Sequence, residues 1–342
     1  MQYVELGKTG MTVSELGFGG IPIIHLDTDA AVRVLRRAFE QGITLYDTAN
    51  AYRDSEAKMG LAFQGMRDKV VIATKTIRRD AATATEHIEN SLRMLRTDYI
   101  DLYQLHQIAH EPEWQAVTAS GGALEAVVKA RQAGKVRHIG VTSHSLEMAL
   151  KLVRTEVFST IQFPFNFIES DASIDLFPLA QKLGMGILVM KPFAGGVIDN
   201  SDIVFKFLRK YEYAIPIPGY DSERAVDDVV AHYSRPKIVT EQDLALMDKY
   251  RNLLGKAFCR RCEYCQPCPK DVKITPAMGY PIIVSRMGPK VAMEFARLAM
   301  ESVPKCEECG KCIALCPYEL PIPDMLKRNY ALYLKNRAEN PG

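Results

Sequence analysis

The segment 134–163 reads GKVRHIGVTSHSLEMALKLVRTEVFSTIQF and contains one complete strand–helix–strand unit. Its pattern predicts an apolar strand over His138–Thr142, a helix over Ser145–Arg154 and a second strand over Thr160–Phe163. Ser145 is a residue type that caps helix N-termini. Short apolar strands that alternate with amphipathic helices are typical of a parallel α/β sheet.

The same alternation continues in both directions, from Leu16 to Ala231. The predicted strands are Leu16–Gly19, Thr44–Asp47, Val70–Lys75, Tyr99–Leu105, His138–Thr142, Thr160–Phe163, Gly186–Met190 and Ala214–Pro216. The predicted helices are Ala30–Gln41, Ser55–Phe63, Thr83–Leu95, Gly122–Ala133, Ser145–Arg154, Ile174–Leu183, Ser201–Lys210 and Ser222–Ala231. Eight such units predict a closed (β/α)8 TIM barrel. The alternative is an open doubly wound sheet, but no GxGxxG turn follows the first strand.

Two further segments of the barrel region carry expectations. Tyr3–Leu6 and Met11–Val13 predict a hairpin, which we expect to close the bottom of the barrel. The long connection Gln107–Ser120 holds Trp114, the only tryptophan in the chain. Long connections at the active face of a barrel form pocket walls, so Trp114 is placed either in the substrate site or against the rim.

Composition excludes several classes of protein. Of 342 residues, 47% are hydrophobic and 25% charged, which is ordinary for a globular protein and excludes predominant disorder. The formal net charge of +2 gives no basic field for nucleic acid. No apolar run predicts a membrane span, and residues 1–10 lack a secretory signal, so we expect a cytoplasmic protein.

Four ionisable residues follow or end adjacent predicted strands. Asp47 ends the second strand and Tyr52 follows it, Lys75 ends the third, and His106 follows the fourth. In a βα barrel the chemistry lies at the C-terminal ends of the strands. Each residue alone has a structural explanation, but their convergence at one rim predicts a catalytic site.

A family resemblance rests on several motifs. They are Leu6-Gly-Lys-Thr-Gly10, Asp47-Thr-Ala-Asn-Ala-Tyr52, Ser55-Glu56, Ala73-Thr-Lys75, Asp101-Leu-Tyr-Gln-Leu-His106, Gly134-Lys-Val-Arg-His-Ile-Gly140, Ile161-Gln162 and Met190-Lys-Pro-Phe-Ala-Gly-Gly196. With them the barrel resembles the aldo-keto reductases, and all four catalytic positions of that family are filled. The pairing of the barrel with a cysteine-rich tail resembles a bacterial and archaeal branch of the family that carries ferredoxin-type tails, and the Met190–Gly196 motif is similar to that branch as well.

The resemblance implies reduction of a small-molecule carbonyl to an alcohol, or the reverse, with NADPH or NADH. Tyr52 is then the general acid or base, since a nearby ammonium lowers the pKa of a phenol from its usual value of about 10. Lys75 supplies the ammonium, Asp47 holds Lys75, and His106 orients the substrate oxygen. The alternative is a non-catalytic or regulatory barrel subunit with a structural metal module.

The resemblance also implies a set of nucleotide contacts. They are Thr142, Ser143, Gln162, Met190, Lys191, Pro192, Gly219 and Arg224. Gln162 matches the residue that binds the nicotinamide carboxamide, and Met190 stands where many relatives stack a tyrosine. Arg224 either meets a 2′-phosphate or is a solvated residue of a first helical turn, which leaves NADPH and NADH both open.

All eight cysteines lie in two runs near the C-terminal end. The runs consist of Cys259, Cys262, Cys265 and Cys268, and of Cys306, Cys309, Cys312 and Cys316. In a reducing compartment such clustered thiols bind metal rather than form disulfides. We therefore predict a barrel domain over 1–240 and a second domain over 241–342. A helical pattern over Pro289–Met300, with Val291, Phe295 and Leu298 at helical spacing, and another over Asp324–Asn336 predict a mostly helical second domain.

The second run is a CxxCxxCxxxCP pattern, as in bacterial ferredoxins. That analogy implies two [4Fe-4S] clusters with exchanged fourth ligands. Cys316 then completes the first set, and Cys268, from a run with shorter final spacing, completes the second. Zinc is the alternative, because CxxC pairs also make tetrahedral zinc sites. Three roles are open for such clusters. They exchange electrons with a flavoprotein or ferredoxin, they stabilise the fold of the second domain (stapling), or they sense oxygen.

Overall fold

The computed structural model describes residues 1–255 and 258–340. These residues form two compact units, Met1–Ala194 with Asn200–Thr240 and Gly195–Asp199 with Glu241–Gly342. Residues 256, 257, 341 and 342 of the predicted second domain lie outside the described residues. Within the described part of the chain, no helix has the length and apolarity needed to cross a bilayer.

The first unit contains ten strands and nine helices among its described residues. The strands are β1 (Tyr3–Glu5), β2 (Thr12–Ser14), β3 (Phe18–Gly19), β4 (Leu45–Asp47), β5 (Val71–Thr76), β6 (Ile100–Leu105), β7 (Val136–Thr142), β8 (Thr160–Pro164), β9 (Gly186–Met190) and β10 (Ala214–Pro216). The helices are α1 (Thr28–Glu40), α2 (Ser55–Ala62), α3 (Ala81–Leu95), α4 (Glu111–Thr118), α5 (Ala123–Gln132), α6 (Leu146–Arg154), α7 (Leu176–Lys182), α8 (Ser201–Leu208) and α9 (Glu223–Tyr233).

Strands β3 to β10 form one parallel sheet in chain order. The sheet closes where Gly17 N donates to Pro216 O at 2.8 Å and Gly19 N donates to Pro218 O at 2.7 Å. A Cβ atom on Gly19 would lie 2.8 Å from Ile217 O, so this approach of the first and last strands requires glycine. The eight predicted strands and the barrel are confirmed, and the open-sheet alternative is wrong.

The hairpin of β1 and β2 closes one end of the barrel, as predicted. The two strands are antiparallel, with Val4 opposite Val13. Leu6 and Val13 are fully buried in one cluster with Leu45 and Leu102 from the barrel strands. Burying these apolar side chains stabilises the barrel from its N-terminal end.

Helix boundaries follow local capping. The Oγ of Ser145 accepts from Met148 N, and the Oγ of Ser222 accepts from Ala225 N, so both predicted N-caps are confirmed. The first helix begins two residues earlier than predicted because Asp27 caps it by accepting from Ala30 N at 2.7 Å.

The regular elements in the described residues of the second unit are all helices, joined by irregular segments that hold most of the cysteines. Its helices are α10 (Glu241–Leu254), α11 (Ile274–Met278), α12 (Tyr280–Ser302), α13 (Lys311–Ala314) and α14 (Ile322–Glu339). Gly288, at φ 71°, interrupts α12 immediately before Pro289. Both predicted helices are present, but the apolar residues at helical spacing are not all buried: Phe295 and Leu298 are 50% and 65% exposed. Alanines and Met300 of α12 pack into the core instead.

Candidate active site

Parallel pairing brings three of the predicted catalytic residues to one edge of the barrel. Asp47 ends β4 and pairs in register with Ala73 of β5, and Lys75 of β5 pairs with Gln104 of β6. His106 follows β6 directly, and its backbone N donates to Thr76 O at 2.9 Å. These strand ends therefore converge as the barrel topology requires.

Lys75 and Asp47 form a buried ion pair at the centre of the site. Lys75 Nζ lies 2.7 Å from Asp47 Oδ2 and donates to Thr48 O at 2.6 Å. Lys75 is 1% exposed and Asp47 4% exposed. Burial raises the pKa of Asp47, while the Lys75 ammonium and the amides of Gln162 and Gln104 act to lower it. The pair fixes the ammonium within the barrel mouth.

Tyr52 lies in the turn after β4, close to Lys75 and His106. Its ring centroid is 5.2 Å from Lys75 Nζ and 5.9 Å from the His106 ring, which it meets edge-on at 80°. The turn is tight, because Tyr52 N donates to Ala49 O and Arg53 adopts φ 45°. The phenol, ammonium, carboxylate and imidazole thus form one cluster.

The imidazole of His106 is held neutral. Burial, followed by the charges of Lys75 and Arg79, lowers its pKa to about 3. Its Nδ1 is buried without a hydrogen-bond partner among the described residues. A neutral imidazole can donate one hydrogen bond to an oxygen without adding a third positive charge to the site.

Gln104 is a site residue that sequence reasoning missed. Its Nε2 donates to Asp47 Oδ1 at 3.2 Å and to Gln162 Oε1 at 2.9 Å, deep within the barrel. It therefore joins the ion pair to the predicted carboxamide contact. The available signal was the alternation of β6: Gln104 lies two residues after Leu102 and shares its inward face.

The candidate nucleotide residues lie at the ends of β7, β8 and β9. Thr142 and Gln162 are buried; Thr142 Oγ1 accepts from Gln107 N at 2.8 Å, and Ser143 Oγ bonds the Ser145 backbone. Each hydroxyl thus makes a hydrogen bond within the chain, and since a hydroxyl has one donor and two acceptor lone pairs, it can also contact a ligand. Met190 is half-buried at the end of β9.

The remaining nucleotide candidates fall in two segments. Lys191 follows β9 with φ 55°, and Pro192 is buried. Gly219 pairs with Gly19 at the closure of the sheet, and a Cβ there would lie 2.5 Å from Pro22 Cγ. Arg224 lies in the first turn of α9, where its side chain is 90% exposed and 3.6 Å from Asp228.

Trp114 packs against an aromatic neighbour. It lies in α4, within the long connection after β6, and its ring meets that of Phe158 at a centroid distance of 6.0 Å. Phe158 precedes β8 and is buried. Since this is the N-terminal side of a barrel strand, the contact favours packing over a place in the substrate site.

No disulfide joins any of the eight cysteines, all of which lie in described parts of the second unit. Burial raises the pKa of Cys262 to about 11, and its thiol neighbours Cys259 and Cys316 add to this. Burial likewise raises the pKa of Cys312, with contributions from Cys306 and Cys309. The fold thus brings a thiol of the second run beside the first run.

A small pocket of about 70 Å³, partly open to solvent, adjoins the second cysteine run. The cysteines that line it are Cys265, Cys268, Cys306, Cys309 and Cys312. Cys265 is buried and Cys309 exposed. In the described residues, no group of three or more His, Cys, Asp or Glu side chains is placed to hold a metal ion.

Comparison with known proteins identifies the family of the barrel. The sequence model described as "Aldo/keto reductase family" matches residues 15–206, more than half of the chain. Aldo-keto reductase YhdN of Bacillus subtilis (strain 168) is 32% identical over 256 residues, which cover 65% of this chain and 75% of that protein. The uncharacterized oxidoreductase YrpG of the same organism is 30% identical over 230 residues, covering 58% and 69%.

Solved structures agree in fold. The aldo-keto reductase of Klebsiella pneumoniae in complex with NADPH aligns with a TM-score of 0.63 at 25% identity, covering 73% of this chain and 95% of that one. A Klebsiella pneumoniae aldo/keto reductase with NADP and acetate aligns at 0.61 and 26% identity, with coverage of 73% and 95%. The chain therefore belongs to the aldo/keto reductase family and is an NAD(P)-dependent oxidoreductase.

Proposed function

We propose that this protein interconverts a small carbonyl compound and its alcohol, with Tyr52 as general acid and base. The observation that carries the proposal is the cluster at the barrel mouth, where Lys75 Nζ lies 2.7 Å from Asp47 and 5.2 Å from the Tyr52 ring centroid. A regulatory barrel without catalysis has no need of a buried ammonium placed beside a tyrosine ring.

Each residue has a distinct task in this proposal. Tyr52 gives its phenolic proton to the substrate oxygen as charge develops there, and the Lys75 ammonium favours the phenolate that remains. Asp47 keeps the ammonium in place. Neutral His106 donates a hydrogen bond to the same oxygen and orients it. The bound nicotinamide supplies or accepts the hydride, since no side chain does so.

The residues present fit a nicotinamide group. Gln162 offers a buried amide at the edge of the cluster, and Gln104 fixes the direction of that amide. We assign carboxamide contacts to Gln162, Thr142 and Ser143, and ring packing to the thioether of Met190. The segment from Lys191 to Pro192 borders the same edge.

We propose NADP(H) as the nucleotide, supported by the Klebsiella structures that carry NADPH and NADP. By the family resemblance, Gly219 stands where many NADPH-preferring relatives have a lysine. Arg224, exposed at the first turn of α9, is then the cation that meets a 2′-phosphate.

Turnover by the wild-type protein tests the function. A panel of aldehydes and ketones is incubated without oxygen with NADPH or NADH, and the absorbance at 340 nm is followed together with alcohol formation. We expect one alcohol per nucleotide oxidised, with NADPH favoured. Arg224→Gln should weaken NADPH binding about tenfold and leave NADH binding unchanged. No substrate-dependent oxidation with either nucleotide across the panel would overturn the proposal.

We further propose that the second domain, 241–342, holds two [4Fe-4S] clusters. Thiolates are the ligands that such clusters require, and the eight present match two sets of four. Cys262 has Cys259 and Cys316 as thiol neighbours, which supports exchange of the fourth ligand. The pocket that Cys268 shares with Cys309 supports the second set.

The chemistry of this domain is open to direct measurement. Protein purified without oxygen should contain about eight iron and eight inorganic sulfide per chain and show a brown colour that dithionite bleaches. Cys316→Ser should then disturb the first cluster, and Cys268→Ser the second, in electron paramagnetic resonance spectra. Stoichiometric zinc without sulfide would establish the alternative metal. Cysteines that form no disulfide agree with either metal.

Cys309 is exposed, so a cluster held by the second set of cysteines could exchange electrons with a flavoprotein or ferredoxin at the protein surface. Stapling of the domain is the competing role. Cys309→Ser distinguishes them: an altered rate of reduction by an external ferredoxin with an unchanged unfolding transition supports transfer, and the reverse supports stapling.

A further inference from the structure

A single arginine grips the backbone beside His106. Arg79 lies in the connection between β5 and α3, and its Nη1 donates to His106 O at 3.0 Å. Its Nη2 donates to Gln107 O at 2.9 Å. Two successive carbonyl groups are thus held by one planar guanidinium, a geometry that lysine cannot reproduce.

The same guanidinium also forms an ion pair with the carboxylate of Glu113. Arg79 Nη2 lies 3.1 Å from Glu113 Oε1, and the other oxygen of Glu113 accepts from Ala109 N at 2.7 Å and His110 N at 3.2 Å. The Arg79–Glu113 pair therefore engages the backbone of four of the five residues 106–110. Both side chains are mostly buried, at 24% and 31% exposure, so solvent screens the pair only in part.

The backbone of residues 106–110 includes a strained residue, so contacts from other parts of the chain are needed to stabilise its conformation. Gln107 has φ 56°, in the left-handed region, and is fixed from the other side by Thr142, which accepts from Gln107 N and Ile108 N. The imidazole of His106 has no hydrogen bond at Nδ1. Its direction is therefore set by its backbone rather than by a partner of that ring nitrogen.

We propose that Arg79 is a positioning residue, which fixes the backbone of residues 106 and 107 so that the His106 imidazole meets the substrate oxygen. This inference rests on the proposed role of His106. The guanidinium also contributes to the lowered pKa of that imidazole, which keeps it neutral. Arg79 acts through His106 and touches no reacting atom.

Arg79→Lys tests the proposal, with Arg78→Lys as the matched control. Arg78 is the exposed neighbour, and its Nε donates to His87 instead. We expect Arg79→Lys to lower kcat about 10- to 100-fold, as misplacement of a catalytic group by about 1 Å does, with the Kd for NADPH unchanged. Arg78→Lys should leave kcat within twofold.

A second readout does not depend on turnover. The chain has seven histidines, and ¹⁵N-labelled imidazole signals can be assigned to His106 with a His106→Gln variant. We expect Arg79→Lys to shift the His106 signal and Arg78→Lys to leave it in place. If Arg79→Lys does not fold, Glu113→Gln takes its place, with a smaller shift expected.

The outcomes separate the two proposals. An unshifted His106 signal in a folded Arg79→Lys or Glu113→Gln protein overturns the positioning role, whatever the turnover. A shifted signal in a protein whose wild type reduces no carbonyl supports the positioning role and removes the proposed function instead. Wild-type kcat in Arg79→Lys, with NADPH turnover established, also overturns the inference.

Discussion

Two regions of the molecule bring their functional side chains together in different ways. They are the barrel mouth, with Asp47, Tyr52, Lys75 and His106, and the cysteine module, residues 241–342. At the mouth, residues from separate strand ends meet because parallel pairing aligns those ends, and the Lys75 charge is matched by Asp47 within the chain. In the module, eight thiols lie within a short stretch and no disulfide joins them. The arrangement of the mouth is therefore stabilised by contacts between its own side chains, whereas we expect the arrangement of the module to depend on the metal that its thiols bind.

If the second unit holds the proposed [4Fe-4S] clusters, removal of their iron should give the largest difference between the two regions. Because the free energy of metal binding adds to the free energy of folding, chelation after oxidation should abolish the cooperative unfolding of the module. The barrel should keep its own transition. Calorimetry and limited proteolysis before and after chelation measure this, with cleavage expected between 259 and 316. Equal loss of both transitions would contradict the contrast.

Substitution within the mouth should have the opposite selectivity. Lys75→Met removes the ammonium that favours the Tyr52 phenolate, so kcat should fall about 10³-fold. The module should keep its spectrum, because its thiols belong to the second unit. Steady-state assays with absorption spectra of the same sample check both statements. A bleached module in Lys75→Met would show that the two regions are not separable in this way.

Matched core truncations should sharpen the comparison further. Leu6→Ala in the barrel and Leu326→Ala in the module each remove a side chain that is 1% exposed, at a cost of about 2–5 kcal/mol. Each should lower only its own unfolding transition. Leu334→Ala, on the same helix as Leu326 but 45% exposed, is the control and should change stability by less than about 0.5 kcal/mol.

The smallest expected effect is a pH dependence from His106. Its folded pKa of about 3 lies below the ordinary value of 6.5, so its contribution to stability is complete above pH 6.5 and declines as pH falls toward 3. Between pH 7 and 5 the wild type should lose about 1–2 kcal/mol more than His106→Gln. Urea unfolding of both proteins at the two pH values measures the difference. Parallel losses would argue against a depressed pKa.

Much of the barrel could be predicted because its signals are local. Each strand has a short apolar run, and caps such as Ser145 and Ser222 mark helix starts. Position at a strand end then gives Asp47, Lys75 and His106. Asp27 lengthens the first helix by two residues, a boundary that apolar periodicity cannot detect because capping depends on one side chain.

The features that could not be predicted depend on contacts between residues that only the tertiary fold brings together. Gln104 and Arg79 are ordinary polar residues in the sequence, and only the closed sheet and the fold of residues 106–113 give them partners. In α12 the apolar spacing of Phe295 and Leu298 does not identify the buried face, because small alanines allow closer packing on the other side. Helical periodicity shows that a face exists but not which neighbour covers it.

The most direct test of the central claim is the turnover of Tyr52→Phe. This variant removes only the phenolic oxygen, and Tyr3→Phe, which alters a 53% exposed tyrosine of the N-terminal hairpin, is the control. We predict that Tyr52→Phe lowers kcat for NADPH-driven carbonyl reduction at least about 10³-fold, with the Kd for NADPH unchanged, while Tyr3→Phe matches the wild type. Turnover of Tyr52→Phe within a few-fold of the wild type would contradict the assignment of the proton donor.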